Sequence, residues 1–172
     1  VIDALIEPLI HLLKNAVVHG IENEETRRLI GKPDKGQIRI RVDSDDNGVT
    51  LEVSDDGRGI SGTRLKQKAV QDGIITPEQA GRMNESDALD LIFQRGLTTA
   101  DTINLNAGRG VGMSIVKEGV EAHGGSILIR SIPQEGTTFT IRMPLVLRSS
   151  TTNETTVVNE PAKNAIDPDS AL

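Results

Sequence analysis

Val49-Thr50-Leu51-Glu52-Val53-Ser54-Asp55-Asp56-Gly57-Arg58-Gly59-Ile60 begins as an alternation of apolar and polar residues and stops on a glycine-rich turn. Val49, Leu51 and Val53 recur every second residue, the period of a strand with one covered face. Just upstream, Ile38, Ile40 and Val42 alternate in the same way. Between the two runs lies Asp45-Asp46-Asn47-Gly48, whose Asn-Gly pair favours a two-residue hairpin turn. The two runs therefore predict an antiparallel pair. Two more strands are expected near the end, in SILIRS (126–131) and TTFTIRMPL (137–145), joined through Pro133-Gln134-Glu135-Gly136.

Helical periods fill the remainder. Leu5, Leu9, Leu12, Leu13 and Ala16 share one face and predict a helix over 3–19, with Asp3 as N-cap and Gly20 as its stop. A shorter helix is expected over 22–30, ended by Gly31 and Pro33. From 61 to 93 the helical pattern is broken at Gly73, Pro77 and Gly81. Residues 95–110, rich in Gly, Thr and Asn, read as irregular, and a helix follows over 112–123, ended by Gly124-Gly125. Helix, strand pair, helices and strand pair predict a two-layer α/β (α+β) sandwich with helices on one sheet face.

Composition narrows the chemistry. Of 172 residues 36% are hydrophobic, yet only two are Phe and none is Tyr or Trp, so the core must be aliphatic. There is no cysteine, which excludes disulfides and thiolate metal sites. The three histidines are too few for a multi-histidine metal centre. A net charge of -6 argues against nucleic acid as the main partner. No apolar run approaches a membrane span, and no signal peptide is visible. These features predict a cytoplasmic piece of a longer protein, since the chain begins at Val1. Residues 149–172 are polar, with four acids and one base, and are expected to be a disordered tail or linker after a domain at 1–148.

Three segments point to a site. The first is Ser54-Asp55-Asp56-Gly57-Arg58-Gly59-Ile60 at a strand end, although Asp-Gly pairs are also ordinary turns. The second is Gly108-Arg109-Gly110-Val111-Gly112-Met113, leading into a helix, where glycine amides and the helix dipole suit phosphate. It is neither a P-loop, which needs Gly-Lys-Ser/Thr, nor a Rossmann fingerprint, which needs Gly-x-Gly-x-x-Gly after a strand. The third is 11–22, HLLKNAVVHGIE, in which His11, Asn15 and His19 recur every four residues on one helix face. A polar stripe in an apolar helix is costly when buried without partners.

Together these segments resemble the GHKL ATPase family, which includes gyrase, MutL, heat-shock chaperones and histidine kinases. The third segment resembles the N box, the first the G1 box and the second the G2 box. Phe93-Gln94-Arg95-Gly96-Leu97-Thr98-Thr99 resembles the F box. Within the family the likeness is to kinases of the CheA type. It rests on His11 four residues before Asn15, the Gly20-Ile21-Glu22 ending, the GKP at 31–33, the GRGVGM run and the insertion DGIITPEQAGRM. It covers about residues 1–147.

The resemblance implies a Bergerat fold with a mixed, largely antiparallel sheet. It implies ATP and Mg2+ as cofactors and phosphoryl transfer to a histidine on a separate phosphotransfer domain. Asp55 would accept from the adenine amino group, with Gly57, Gly59 and Ile60 around it. Asn15 would ligate magnesium, and His11 would act as general base or orient the acceptor. His19, Thr98 and Thr99 would flank the nucleotide, and Gly108, Arg109, Gly110, Val111, Gly112 and Met113 would cradle its phosphates at the end of a lid spanning 97–110. Thr137 would reach the adenine pocket through water, whereas His123, ending a helix, is read as structural. A response regulator, and receptor or adaptor proteins acting through other domains, are the implied partners.

Three positions depart from the CheA pattern: Val18 and Ser114 where Asp is usual, and Leu97 where Phe is usual. A polar tail also stands where a CheW-like domain normally follows. Two alternatives stay open at this point. One is a non-catalytic ATP-binding module, against which His11 and Asn15 speak. The other is an ATPase that works by dimer closure, for which Glu7 lies one turn too early.

Overall fold

The computed structural model describes residues 2–97 and 112–145. Helix α1 spans Ile2–Asn15 and continues into one π-turn, Ala16–Gly20, closed by Ile21 N donating to Ala16 O at 2.8 Å. Asp3 is not its cap but lies in the first turn, where a carboxylate still favours the helix dipole. The helix α2 (Glu24–Leu29) is capped by Asn23, whose side chain accepts from Thr26 N. It ends before Gly31, whose φ of 75° suits only glycine comfortably.

Strands β1 (Ile38–Asp45) and β2 (Gly48–Asp55) form the expected hairpin, but its two turn residues are Asp46 and Asn47, because Gly48 already pairs with Asp45. Helices α3 (Gly62–Gln71), α4 (Pro77–Arg82) and α5 (Glu85–Asp90) follow, then a 3₁₀ turn over Leu91–Phe93. Gly73, at φ 71°, breaks the chain after α3. Pro77 and Gly81 do not act as breaks: Pro77 opens α4, where its missing N–H has no helical partner to lose, and Gly81 lies inside it. A capping box of Thr76 and Gln79 fixes that start. Helix α6 (Met113–Ala122), strand β3 (Ser126–Ile132) and strand β4 (Gly136–Pro144) complete the described chain.

The strand order is β1-β2-β4-β3, and every pairing among the described residues is antiparallel rather than mixed. The last hairpin inserts β4 beside β2, so β3 becomes an edge, and strands of like direction, β2 with β3 and β1 with β4, never touch. Leu51, Val53, Ile127, Ile129, Phe139, Ile141 and Met143 share the inner face and pack with Leu5, Leu12, Leu65, Leu89, Val116 and Val120 from the helices. Phe93 meets Phe139 edge to face, with centroids 6.5 Å apart, and the Lys117 ammonium lies 5.4 Å from the Phe93 ring.

The covered face is narrower than the alternation suggests. Ile40 and Val42 pair with Val53 and Leu51, so they share the inner side, yet they remain 49% and 61% exposed. The helical layer covers β2, β4 and β3 and leaves the β1 edge bare.

The turn between β3 and β4 is tightly built. Gly136 has φ 132°, and a Cβ there would overlap the Asp55 carbonyl oxygen. Gly136→Ala is therefore expected to lower stability by roughly 1–3 kcal/mol, read as a lower melting temperature. An unchanged melt would show that the hairpin yields without cost.

Candidate functional site

Strand β2 delivers Asp55 to the same edge of the molecule at which the π-turn ends. Arg58 N donates to Gly20 O at 2.9 Å, and a Cβ on Gly57 would overlap that same carbonyl. Only glycine at 57 lets the end of the α1 segment and the strand-end turn touch. Gly59, at φ 66°, is pressed against the Ile132 carbonyl, and Gln134 N donates to Arg58 O at 2.7 Å. The turn over 55–59 is thus held between the α1 end on one side and the β3–β4 hairpin on the other.

The Asp55 side chain faces this junction. Its Oδ1 accepts from Gly57 N at 2.9 Å. Burial pushes its carboxyl above the ordinary carboxylate range, against the pull of the Gly57 and Thr137 amides. Thr137 sits directly across the ladder from Asp55 and is buried. Its hydroxyl lies 2.9 Å from Ser131 Oγ, which accepts from Ile60 N at 2.8 Å and donates to Gly136 O at 2.9 Å. Ile60 is thereby fixed by its backbone while its side chain packs on the core.

Asn15 ends α1 and donates its amide to Met113 Sδ at 3.0 Å. This leaves the amide oxygen as the end offered to a cation. Met113 itself is buried, so its side chain backs Asn15 rather than lining an open pocket. Gly112 is exposed at the start of α6. One turn before Asn15, His11 borders a cavity of about 320 Å³ between α1 and α6, whose lining includes Glu7, Ile115, Gly119 and His123. Burial and the Lys14 charge lower the His11 pKa, with Glu7 opposing, which favours the neutral imidazole. His19 is exposed within the π-turn, and π-turns are frequent at functional sites. His123 Nδ1 donates to Gly119 O at 2.8 Å, a contact at its own helix end.

Thr98, Thr99, Gly108, Arg109, Gly110 and Val111, and with them the lid expected over 97–110 beyond Leu97, lie outside the described residues. So does the tail at 149–172. Leu97 is buried where the description stops.

Behind the turn lies a charged cluster in which Arg27, outside the quoted segments, joins Glu22, Lys32 and Asp56 from within them. Arg27 is fully buried and pairs with Glu22 at 3.1 Å and with Asp56 at 2.8 Å. Lys32 pairs with Glu22 at 2.9 Å and donates to the carbonyls of Asp56 and Gly57 at 2.8 and 2.7 Å. Burial pushes the Glu22 carboxyl up, but Lys32 and Arg27 outweigh it and hold the carboxyl below its ordinary range. Asp56 is held low in the same way, against its own burial, by the Gln37 amide and Arg27. The pairing of Arg27 and Lys32 with Glu22 and Asp56 leaves no periodic trace in a sequence.

A family profile described as "Histidine kinase-, DNA gyrase B-, and HSP90-like ATPase" matches residues 3–147. The Gliding motility regulatory protein of Myxococcus xanthus is 46% identical over 80% of this chain and 18% of its own length. The Chemotaxis protein CheA of Bacillus subtilis is 40% identical over 86% of this chain and 22% of its own. The chain thus spans about a fifth of the length of these relatives. The catalytic domain of histidine kinase ThkA is similar at a TM-score of 0.48 and 24% identity, over 83% of this chain and 66% of that one.

Proposed function

The chain belongs to the histidine kinase-, DNA gyrase B- and HSP90-like ATPase family and is a CheA-like ATP-binding catalytic domain; from that premise we propose that it passes the γ-phosphoryl group of ATP to a histidine on a separate phosphotransfer domain. The observation that carries this reading is the Gly20–Gly57 junction. It sets a half-buried carboxylate, Asp55, beside the end of the helix that carries Asn15 and His11.

Each residue has a chemical task in this reading. Asp55 accepts from the adenine amino group, a contact that guanine, with a carbonyl at that position, does not offer. Gly57 and Gly59 let the base approach the backbone. Thr137 and Ser131 supply hydroxyls across the ladder. Among the described residues no group of three or more His, Cys, Asp or Glu converges on a metal. The donor set therefore fits a magnesium ion held mainly by phosphates and water with Asn15 as protein ligand. That ion, when bound, neutralises phosphate charge. In the transfer a nitrogen–phosphorus bond forms to the acceptor imidazole, the bond to the bridging oxygen breaks, and ADP leaves. His11, whose lowered pKa favours the neutral imidazole, would take the proton that the acceptor loses.

The phosphorylated domain would hand its phosphoryl group to a response regulator, with receptor or adaptor proteins acting through domains outside this chain. Among the described residues no helix is long and apolar enough to cross a membrane. We place the reaction in the cytoplasm, where ATP is supplied. The isolated domain is expected to bind ATP with magnesium and to turn it over slowly. Adding the phosphotransfer domain from the same protein should yield an acid-labile phosphohistidine. Absence of binding by calorimetry at about millimolar ATP would refute the reading.

A further inference from the structure

We propose that Lys32 and Arg27 are positioning residues that set the adenine-reading carboxylate from behind, through one peptide group. The inference rests on the reading of Asp55 given above. The peptide between Asp56 and Gly57 is the link. Its oxygen accepts from Lys32 Nζ at 2.8 Å and from Arg27 Nη1 at 3.3 Å. Its N–H, on the opposite edge of the same plane, donates to Asp55 Oδ1 at 2.9 Å. A peptide is rigid and planar, so fixing the oxygen fixes the direction of the N–H. Two cations on the oxygen also polarise the group and strengthen its donor end, as hydrogen bonds in series do. The next carbonyl, that of Gly57, is held by Lys32 at 2.7 Å. Arg27 further clamps the Asp56 carboxylate, whose other oxygen accepts from Gln37 N at 2.8 Å. Both cations contact the turn itself and act on the site through it.

Arg27→Ala would take the cation from Asp56, leave Glu22 to Lys32 alone and empty the place of a fully buried side chain, and so would test folding rather than positioning. Lys32→Met is the informative change, because Arg27 stays to pair both acids. It is expected to weaken ATP and ADP binding by the same factor, about tenfold, with an unaltered far-ultraviolet circular dichroism spectrum. Lys32→Gln, which keeps one donor, should fall between parent and Lys32→Met. A double-mutant cycle separates positioning from general damage. Combined with Asp55→Asn, the Lys32→Met effect should be less than multiplicative by about threefold or more, because both act on one contact. Combined with Asn15→Ala it should be multiplicative. Parent affinity in Lys32→Met, or an effect that multiplies fully with Asp55→Asn, overturns the proposal. A parent domain that binds neither nucleotide overturns the reading of the site, and this inference with it.

Discussion

Asn15→Ala is expected to lower the rate of phosphotransfer about a hundredfold or more while changing ADP affinity in the absence of magnesium little. Phosphoryl transfer depends on positioning and charge neutralisation around the phosphates, with little covalent work for the protein. Asn15 is the ligand in the proposed function, and its N–H is held by Met113 Sδ. The effect should therefore appear in magnesium dependence rather than in base recognition. Parallel ATP titrations with and without magnesium give the test. Were the variant to keep the parent's magnesium response, Asn15 would have to be withdrawn as a ligand. The fold should survive, since alanine gives up only one weak N–H to sulfur bond.

Asp55→Asn should separate binding from stability. A hydrogen bond involving a charged group contributes about 1.5–3 kcal/mol, so ATP affinity should fall roughly ten- to a hundredfold. Stability should move the other way. Burial raises the Asp55 carboxyl in the folded domain. A carboxyl so raised contributes stability below its unfolded pKa and loses it as pH rises through the folded value. Near neutral pH the ionised Asp55 is thus a burden on the fold, and asparagine removes it while still accepting from Gly57 N. The variant should melt at or above the parent at about pH 7, and the gap should close below the ordinary carboxylate range. Equal ATP affinity in both proteins would take Asp55 out of the adenine contact. A variant that melts well below the parent at neutral pH would show instead that the carboxylate holds the turn.

Much of this architecture was legible in the sequence because it is written in short periods. Val49, Leu51 and Val53 announce β2, Asn47-Gly48 announces the hairpin, and Leu5, Leu9 and Leu12 announce α1. Asp55 stood out because a strand stops on it and glycines follow. What could not be read depends on contacts distant in sequence. Nothing in 126–145 says that β4 rather than β3 lies against β2, which decides that Thr137 faces Asp55. The π-turn needs Ile21 N to choose Ala16 O over Val17 O, and its end is engaged from far along the chain, where Arg58 N donates to Gly20 O. Ser131 has a role only because Ile60 is brought to it across the hairpin. The exposure of Ile40 and Val42 reflects how far the helical layer extends, which strand periodicity does not encode.

The edge-to-face pair of Phe93 and Phe139 accounts for every aromatic side chain of the Phe, Tyr and Trp type in the protein. The domain is consequently almost transparent in the near ultraviolet, where adenine absorbs strongly, and it has no intrinsic tryptophan emission. Nucleotide bound to it can be followed by its own absorbance with little protein background. A single Phe93→Trp replacement would install the sole fluorophore at the buried end of the 3₁₀ turn, four residues before Leu97. Its emission would then report solvent access around that turn, free of interference from any other residue.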